Sequence, residues 1–298
     1  ALAFVNIDHL PPEALSMCSN ALMQTEQFAR ANEVVEKVTI RGPLPDWALS
    51  TAISLALRQE DADRAISGLT ELLVKTPGNH LARLQLAQQL LEVGRIDKSV
   101  GLLLQLKDEA PALSAVHRML LAQLLHAAGK DELALPVAFR AFRDATQDPR
   151  MHRALSMMVL EARGQQWTAE VVGVDTYVRL QSSTGGTRDR TIYQDGPVDP
   201  LRGEMSLADA QRCGVLGKKI GDTIVENLGG WQEVAWTVER ISPAVLHVAQ
   251  EAMDRFEERF PNEPFVTKFS VGDPTSVRAL APLIGSLETR RAHVEQAF

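Results

Sequence analysis

The chain has 298 residues, of which 45% are hydrophobic but only 5% aromatic. That length exceeds what one core usually organises, so two modules are expected, and an aliphatic, aromatic-poor balance favours helices over a sandwich or barrel. The formal charge of −7 is spread along the whole chain, which excludes the basic field that sequence-independent nucleic-acid binding needs.

The first residues, ALAFVNIDHL, carry no basic signal-peptide head. No apolar run reaches the roughly 18 residues of a membrane span, so no membrane association is expected. Cys18 and Cys213 stand far apart, which supports neither a disulfide framework nor a four-thiolate metal site. A reducing cytoplasmic setting follows. Because the sequence starts without methionine and stops in a helix-like run at Phe298, it is expected to be part of a longer protein.

Residues 1–163 contain an internal repeat. Small residues Ala31, Ala65, Ser99 and Ala134 recur at spacings of 34, 34 and 35. Pro43, Pro77 and Pro111 follow the first three by twelve residues, and Thr146 takes the fourth proline place. Five residues before each small residue stand Glu26, Glu60, Gly94 and Gly129, where a tight inter-helix turn is expected. Apolar residues keep the same phase: Leu22, Ala56, Leu90 and Leu125 on each first helix, Val38, Leu72, Leu106 and Ala141 on each second. Such a pattern describes helical hairpins in which a small residue lets two helices approach and a proline ends the second. Stacking covers the apolar face that each hairpin alone leaves bare. The predicted repeats are about 12–45, 46–79, 80–114 and 115–149, with a capping helix over 151–163.

This stretch, as in LARLQLAQQLLEVGRIDKSVGLLLQLKDEAP, resembles the tetratricopeptide repeat (TPR), whose early tryptophan is replaced here by Leu15, Leu49, Arg83 and Arg118. The resemblance implies a groove lined by first-helix residues Asn20, Ser54, Gln88 and Gln123, with Met23, Leu57, Leu91 and His126 nearby. Repeats of this family that clamp acidic peptide carboxylates have basic groove positions, which are largely missing here apart from Arg58. Two readings stand: a groove for a peptide or protein, or a structural spacer.

Beyond residue 163 the periodicity changes. WTAEVVGVDTYVRLQ and TIVENLGGWQEVAWTVERI alternate apolar and polar residues and predict strands. STGGTRDR predicts a hairpin turn, and SLADAQRCGVL a short helix capped by Ser206. In CGVLGKKIGD the glycines suggest a phosphate-binding loop, but Arg212 stands where its first glycine belongs and Lys219 where its hydroxyl belongs. Gly214, Gly217 and Gly221 are therefore read as turn residues, and Asp222 as the cap of the turn. Residues 164–241 form the predicted α+β module.

The order of GVDTYVRLQ, TIYQDGPVDPLRGEMS, GVLGKKIGD and GGWQEVAWTVERI resembles the C-terminal domain of the Gre-type transcript cleavage factors. The family's Leu-Gly-Lys and Gly-Asp element is matched by Leu216, Gly217, Lys218, Gly221 and Asp222, and its loop by Gly196, Pro197 and Asp199. Where Gre factors are richer in acids, this chain has Val198-Asp199-Pro200-Leu201. The resemblance implies an FKBP-like fold that docks on RNA polymerase, with Gly196, Pro197, Asp199, Lys218 and Lys219 as contacts. The plain reading of the lysines is a solvated loop. The Gre coiled coil that performs transcript cleavage has no counterpart here. Prolyl isomerase activity, which an FKBP-like fold brings to mind, needs an aromatic-lined pocket.

Residues 242–298 predict a capped helix, SPAVLHVAQEAMDRFEERF, then a strand-like PFVTKFSV and a helix after Pro274. Asp254, Glu257 and Glu258 read as a charged solvated face rather than a metal site. The seven histidines show no ligand spacing. Fusions of TPR and Gre-like domains resemble larger proteins that add a PIN-type ribonuclease, whose strand-end carboxylates this tail does not supply. The sequence thus predicts an α-solenoid followed by a small α+β module and a mainly helical tail. Its expected role is a non-catalytic adaptor without cofactor or metal. The alternatives are a scaffold for a nuclease elsewhere in the chain and a prolyl isomerase.

Overall fold

The computed structural model describes residues 10–40, 42–162, 169–194, 196, 198–227, 233–261 and 263. Helices α1 (Pro12–Gln24) and α2 (Phe28–Ile40), α3 (Asp46–Arg58) and α4 (Ala62–Lys75), α5 (His80–Glu92) and α6 (Ile96–Asp108), and α7 (Ala115–Ala127) and α8 (Asp131–Asp144) form successive hairpins. Helix α9 (Pro149–Glu161) packs on α8 and closes a TPR-like array.

Each hairpin turns on the same backbone device. Glu26, Glu60, Gly94 and Gly129 all adopt positive φ, at 56°, 56°, 74° and 71°. The next residue then donates its N–H to the carbonyl five positions back: Gln27 to Leu22, Asp61 to Ala56, Arg95 to Leu90 and Lys130 to Leu125, all at 2.8 or 2.9 Å. This left-handed joint satisfies carbonyls that a helix end leaves open. Glycine adopts it freely, whereas an L side chain costs about 1–2 kcal/mol.

The small residues lie where the helices touch. Ala31, Ala65, Ser99 and Ala134 are completely buried. Ser99, the polar one, donates its hydroxyl to the Ala87 carbonyl at 2.7 Å, which offsets the burial of the oxygen. Gly68 makes the α3–α4 approach closer still, since a Cβ there would stand 2.7 Å from Ile53 Cγ1. Leu15 and Leu49 fill the early-tryptophan position of their repeats and are buried. Arg83 and Arg118 fill it in the next two, and each reaches 26 residues ahead, Arg83 to both oxygens of Glu109 at 2.9 and 3.0 Å and Arg118 to Asp144.

The sheet runs β3-β2-β1-β5-β4, with β1 (Thr176–Ser182), β2 (Thr187–Tyr193), β3 (Glu204–Ser206), β4 (Thr223–Asn227) and β5 (Glu233–Pro243). Among the described strands only the β2–β3 pair is parallel. Helix α10 (Leu207–Arg212) carries the chain from the β3 edge towards β4 and buries Ala210 in the same core as Val178, Ile192 and Val238. Ser206 caps it as expected, accepting the Asp209 N–H at 3.1 Å.

Three local expectations change. Residues 169–175 are irregular, and β1 begins only at Thr176. Ser242, expected to cap a helix, instead belongs to β5 and is buried; α11 (Ala244–Asp254) starts after Pro243 without a side-chain cap. The tail helix also breaks at Arg255, leaving α12 (Phe256–Arg259). Gly229 and Gly230, between the last two strands, and the elements expected beyond residue 263 lie outside the described residues.

Helix α11 joins the two modules. It packs on α9, β1 and β5, and one apolar core runs from Leu103 and Leu125 through Phe142 and Leu155 to Tyr193, Val248 and Ala252. His152 is completely buried in this junction. Its ring lies 4.7 Å from Phe142, 4.9 Å from Phe260 and 6.2 Å from Phe256. Nε2 bonds the Thr146 carbonyl at 2.8 Å and Nδ1 has no hydrogen-bond partner among the described residues. Burial therefore holds its pKa below the usual 6.5.

Three consequences can be measured. Ala65→Leu overpacks the α3–α4 contact and should lower unfolding free energy by about 1–3 kcal/mol in a denaturant titration. Glu26→Gly relieves a left-handed side chain and should raise it by up to about 1 kcal/mol. In acid, unfolded His152 takes up a proton near pH 6.5 while the folded residue resists it, so its contribution is complete above that pH and declines below it. His152→Phe should flatten this decline between pH 7 and 5, leaving a residue from His247, whose pKa burial also lowers.

Candidate protein-interaction site

The groove residues expected from the repeat are all on the surface. Asn20, Ser54, Gln88 and Gln123 occupy equivalent exposed places on α1, α3, α5 and α7. Arg58 is exposed as well, but its guanidinium lies 5.1 Å over the Phe28 ring, drawn to the aromatic face by its charge. Between α3 and α5 a hollow of about 550 Å³ is walled by Leu57, Glu60, Gln85, Gln88, Gln89 and Glu92. Gln88 Nε2 donates to one oxygen of the Glu92 carboxylate at 3.0 Å and Gln89 Nε2 to the other at 2.6 Å. At the far end His126 stands between two acids, Nδ1 at 2.5 Å from Asp131 and Nε2 at 3.3 Å from Glu161.

The glycine-rich loop is built as a turn. Gly214, Gly217 and Gly221 have φ of 69°, 75° and 90°. Gly217 N–H donates to the Val172 carbonyl, and Val172 N–H returns a bond to the Lys218 carbonyl, both at 2.8 Å. Asp222 accepts the Lys219 N–H at 2.8 Å, as a turn cap does. Lys218 is half-buried, while Lys219 and Ile220 are exposed.

Gly196 and Asp199 belong to a different place. Their loop links β2 to β3, whereas the lysines precede β4, so three strand spacings, about 14 Å, separate the two strands concerned. Gly196 and Asp199 therefore do not share one compact site with Lys218 and Lys219. Pro197 lies outside the described residues. Asp199 accepts the Leu201 N–H at 2.9 Å and leaves Leu201 almost wholly exposed. A Cβ at Gly196, whose φ is 89°, would stand 3.6 Å from the Arg143 guanidinium, which stacks 3.6 Å over the Tyr193 ring.

That stack borders a cleft of about 940 Å³ between α8, the Gly196 loop and α11. Its lining includes His247, stacked on Tyr177 at 3.8 Å and 18°. Burial pushes the Tyr177 hydroxyl up to about 12, and the Arg179 side chain, bonded to Asp189 at 2.9 and 3.1 Å, holds that carboxyl below the usual range. The Tyr177–His247 stack joins the sheet to α11, and the Arg179–Asp189 pair ties β1 to β2. Single residues scattered over β1, β2 and α11 meet only through the sheet register, so no local spacing could reveal them. Among the described residues, no group of three metal-ligating side chains comes together.

The geometry defines a helical-repeat protein with an appended sheet module. No protein-family model matches the chain, and no curated protein is a sequence match. Solved TPR structures are similar over about half of it. MamA from Desulfovibrio magneticus RS-1 is 16% identical, with 53% of this chain and 86% of that one covered and a TM-score of 0.43. YrrB, a TPR protein, is 14% identical over 50% and 78%, with a TM-score of 0.41. TTC0263 from Thermus thermophilus is 15% identical over 51% and 82%, with a TM-score of 0.39.

The loop geometry separates two kinds of substitution. Gly217→Val places a β-branched residue at positive φ and should lower the melting temperature of the sheet module. Lys218→Glu with Lys219→Glu, which alters side chains and keeps the backbone bonds, should change stability by no more than about 0.5 kcal/mol.

Proposed function

We propose that this chain is a non-catalytic adaptor that grips one protein on the first-helix face of its repeats and docks on RNA polymerase through the sheet module. The observation behind the first half is the exposed, mostly uncharged polar stripe repeated on α1, α3, α5 and α7 above a core that is complete without it. Solenoids use such extended faces for binding.

The second half rests on the Gre-like loops of the sequence, and Lys219 and Ile220 supply an exposed cationic and apolar edge beside β4. Purified polymerase should be retained by the immobilised 298-residue chain at low micromolar concentration and at low salt. The Lys218→Glu, Lys219→Glu chain should retain less, with the deficit shrinking as salt rises. Absence of retention by the unaltered chain removes the polymerase half and leaves the repeat half standing.

A further inference from the structure

The first-helix face is not neutral along its length. In the hollow between α3 and α5 both ionisable residues, Glu60 and Glu92, are acidic. The one base expected there, Arg58, is turned on to Phe28. Further along the same face, Glu161 approaches His126. The Glu92 carboxylate is held in place by the amides of Gln88 and Gln89, one to each oxygen, and each oxygen keeps a lone-pair direction for a further donor. Leu57 supplies an apolar wall on which the methylene stem of a long side chain can lie.

We propose that this part of the groove recognises a lysine or arginine side chain on an extended segment of the partner protein, with Glu92 as the acceptor and Glu60 adding to the field. The proposal rests on the repeat half of the adaptor reading and names the chemistry of its partner. The pairing follows from charge complementarity: a carboxylate already oriented by two amides loses little freedom when a cation arrives. An acidic segment would meet two carboxylates and no lining base, which disfavours it. Gln88 and Gln89 are positioning residues, since their amides aim the Glu92 carboxylate.

The test uses the full chain and three fluorescent nine-residue peptides alternating alanine with lysine, glutamate or serine, read by anisotropy at low salt. The lysine peptide should bind more tightly than the other two. Glu92→Gln should weaken it about three- to fivefold, in the range of an exposed ion pair, and Glu60→Gln with Glu92→Gln further. Gln88→Ala should reproduce part of the loss while the circular dichroism of the array stays unchanged. Equal binding of all three peptides, each weakened by Gln123→Ala, would overturn the basic preference yet keep the groove as a peptide site. No binding of any peptide would overturn both the preference and the groove reading. Tight lysine binding indifferent to Glu92→Gln would overturn the assignment of the acceptor.

Discussion

The contact on which the molecule depends is the one between the two helices of each hairpin, closed by a side chain no larger than serine. Ala31, Ala65, Ser99 and Ala134 have no exposed surface, and around them the apolar stripes of neighbouring helices meet. Close approach brings many weak dispersion contacts into range together, and it turns both helices so that their remaining apolar residues face the next hairpin. Repetition of one contact thereby produces a continuous core with a polar face left over. The left-handed joint at Glu26, Glu60, Gly94 and Gly129 serves the same contact, because it sets the angle at which the second helix returns.

Much of this architecture was legible because repeats expose their own phase. The recurrence of small residues at 34 or 35 positions marked the hairpins and the joints, whereas the groove residues of the first-helix face came from the resemblance to the tetratricopeptide repeat. The Arg83–Glu109 and Arg118–Asp144 pairs were visible only as departures from a tryptophan pattern. Their partners lie 26 residues away, a separation that a hydrophobic periodicity does not report. Gly68 escaped notice for a similar reason, since a glycine in a helix looks like a weakness until the opposing Ile53 side chain is placed.

The sheet module was legible as a series of strands but not as a surface. Among the described loop residues drawn together by their sequence resemblance, Gly196 and Asp199 lie between β2 and β3 while Lys218 and Lys219 approach β4, because the crossover through α10 sends the chain to the opposite edge. Likewise Ser242 belongs to a strand whose register with Thr176 and Tyr177 outweighs its fitness as a helix cap. The acidic hollow needed both α3 and α5, which only the stacking of two repeats brings side by side. In the same way α11, read as the start of a tail, packs against α9 and shares a core with Tyr193 and Leu155. That shared core couples the repeats to the sheet, and an adaptor needs such coupling if a partner on one module is to be held in a fixed place relative to a partner on the other.

Simultaneous occupancy of the two modules is the direct measure of adaptor function. The fluorescent lysine peptide, the full chain and purified RNA polymerase can be sedimented together, with the signal followed at the boundary of the large complex. An adaptor predicts that the peptide travels with the polymerase only when the chain is present, at the same affinity as for the chain alone. Release of the peptide as polymerase is added, or no co-sedimentation at concentrations that saturate each partner separately, would contradict it.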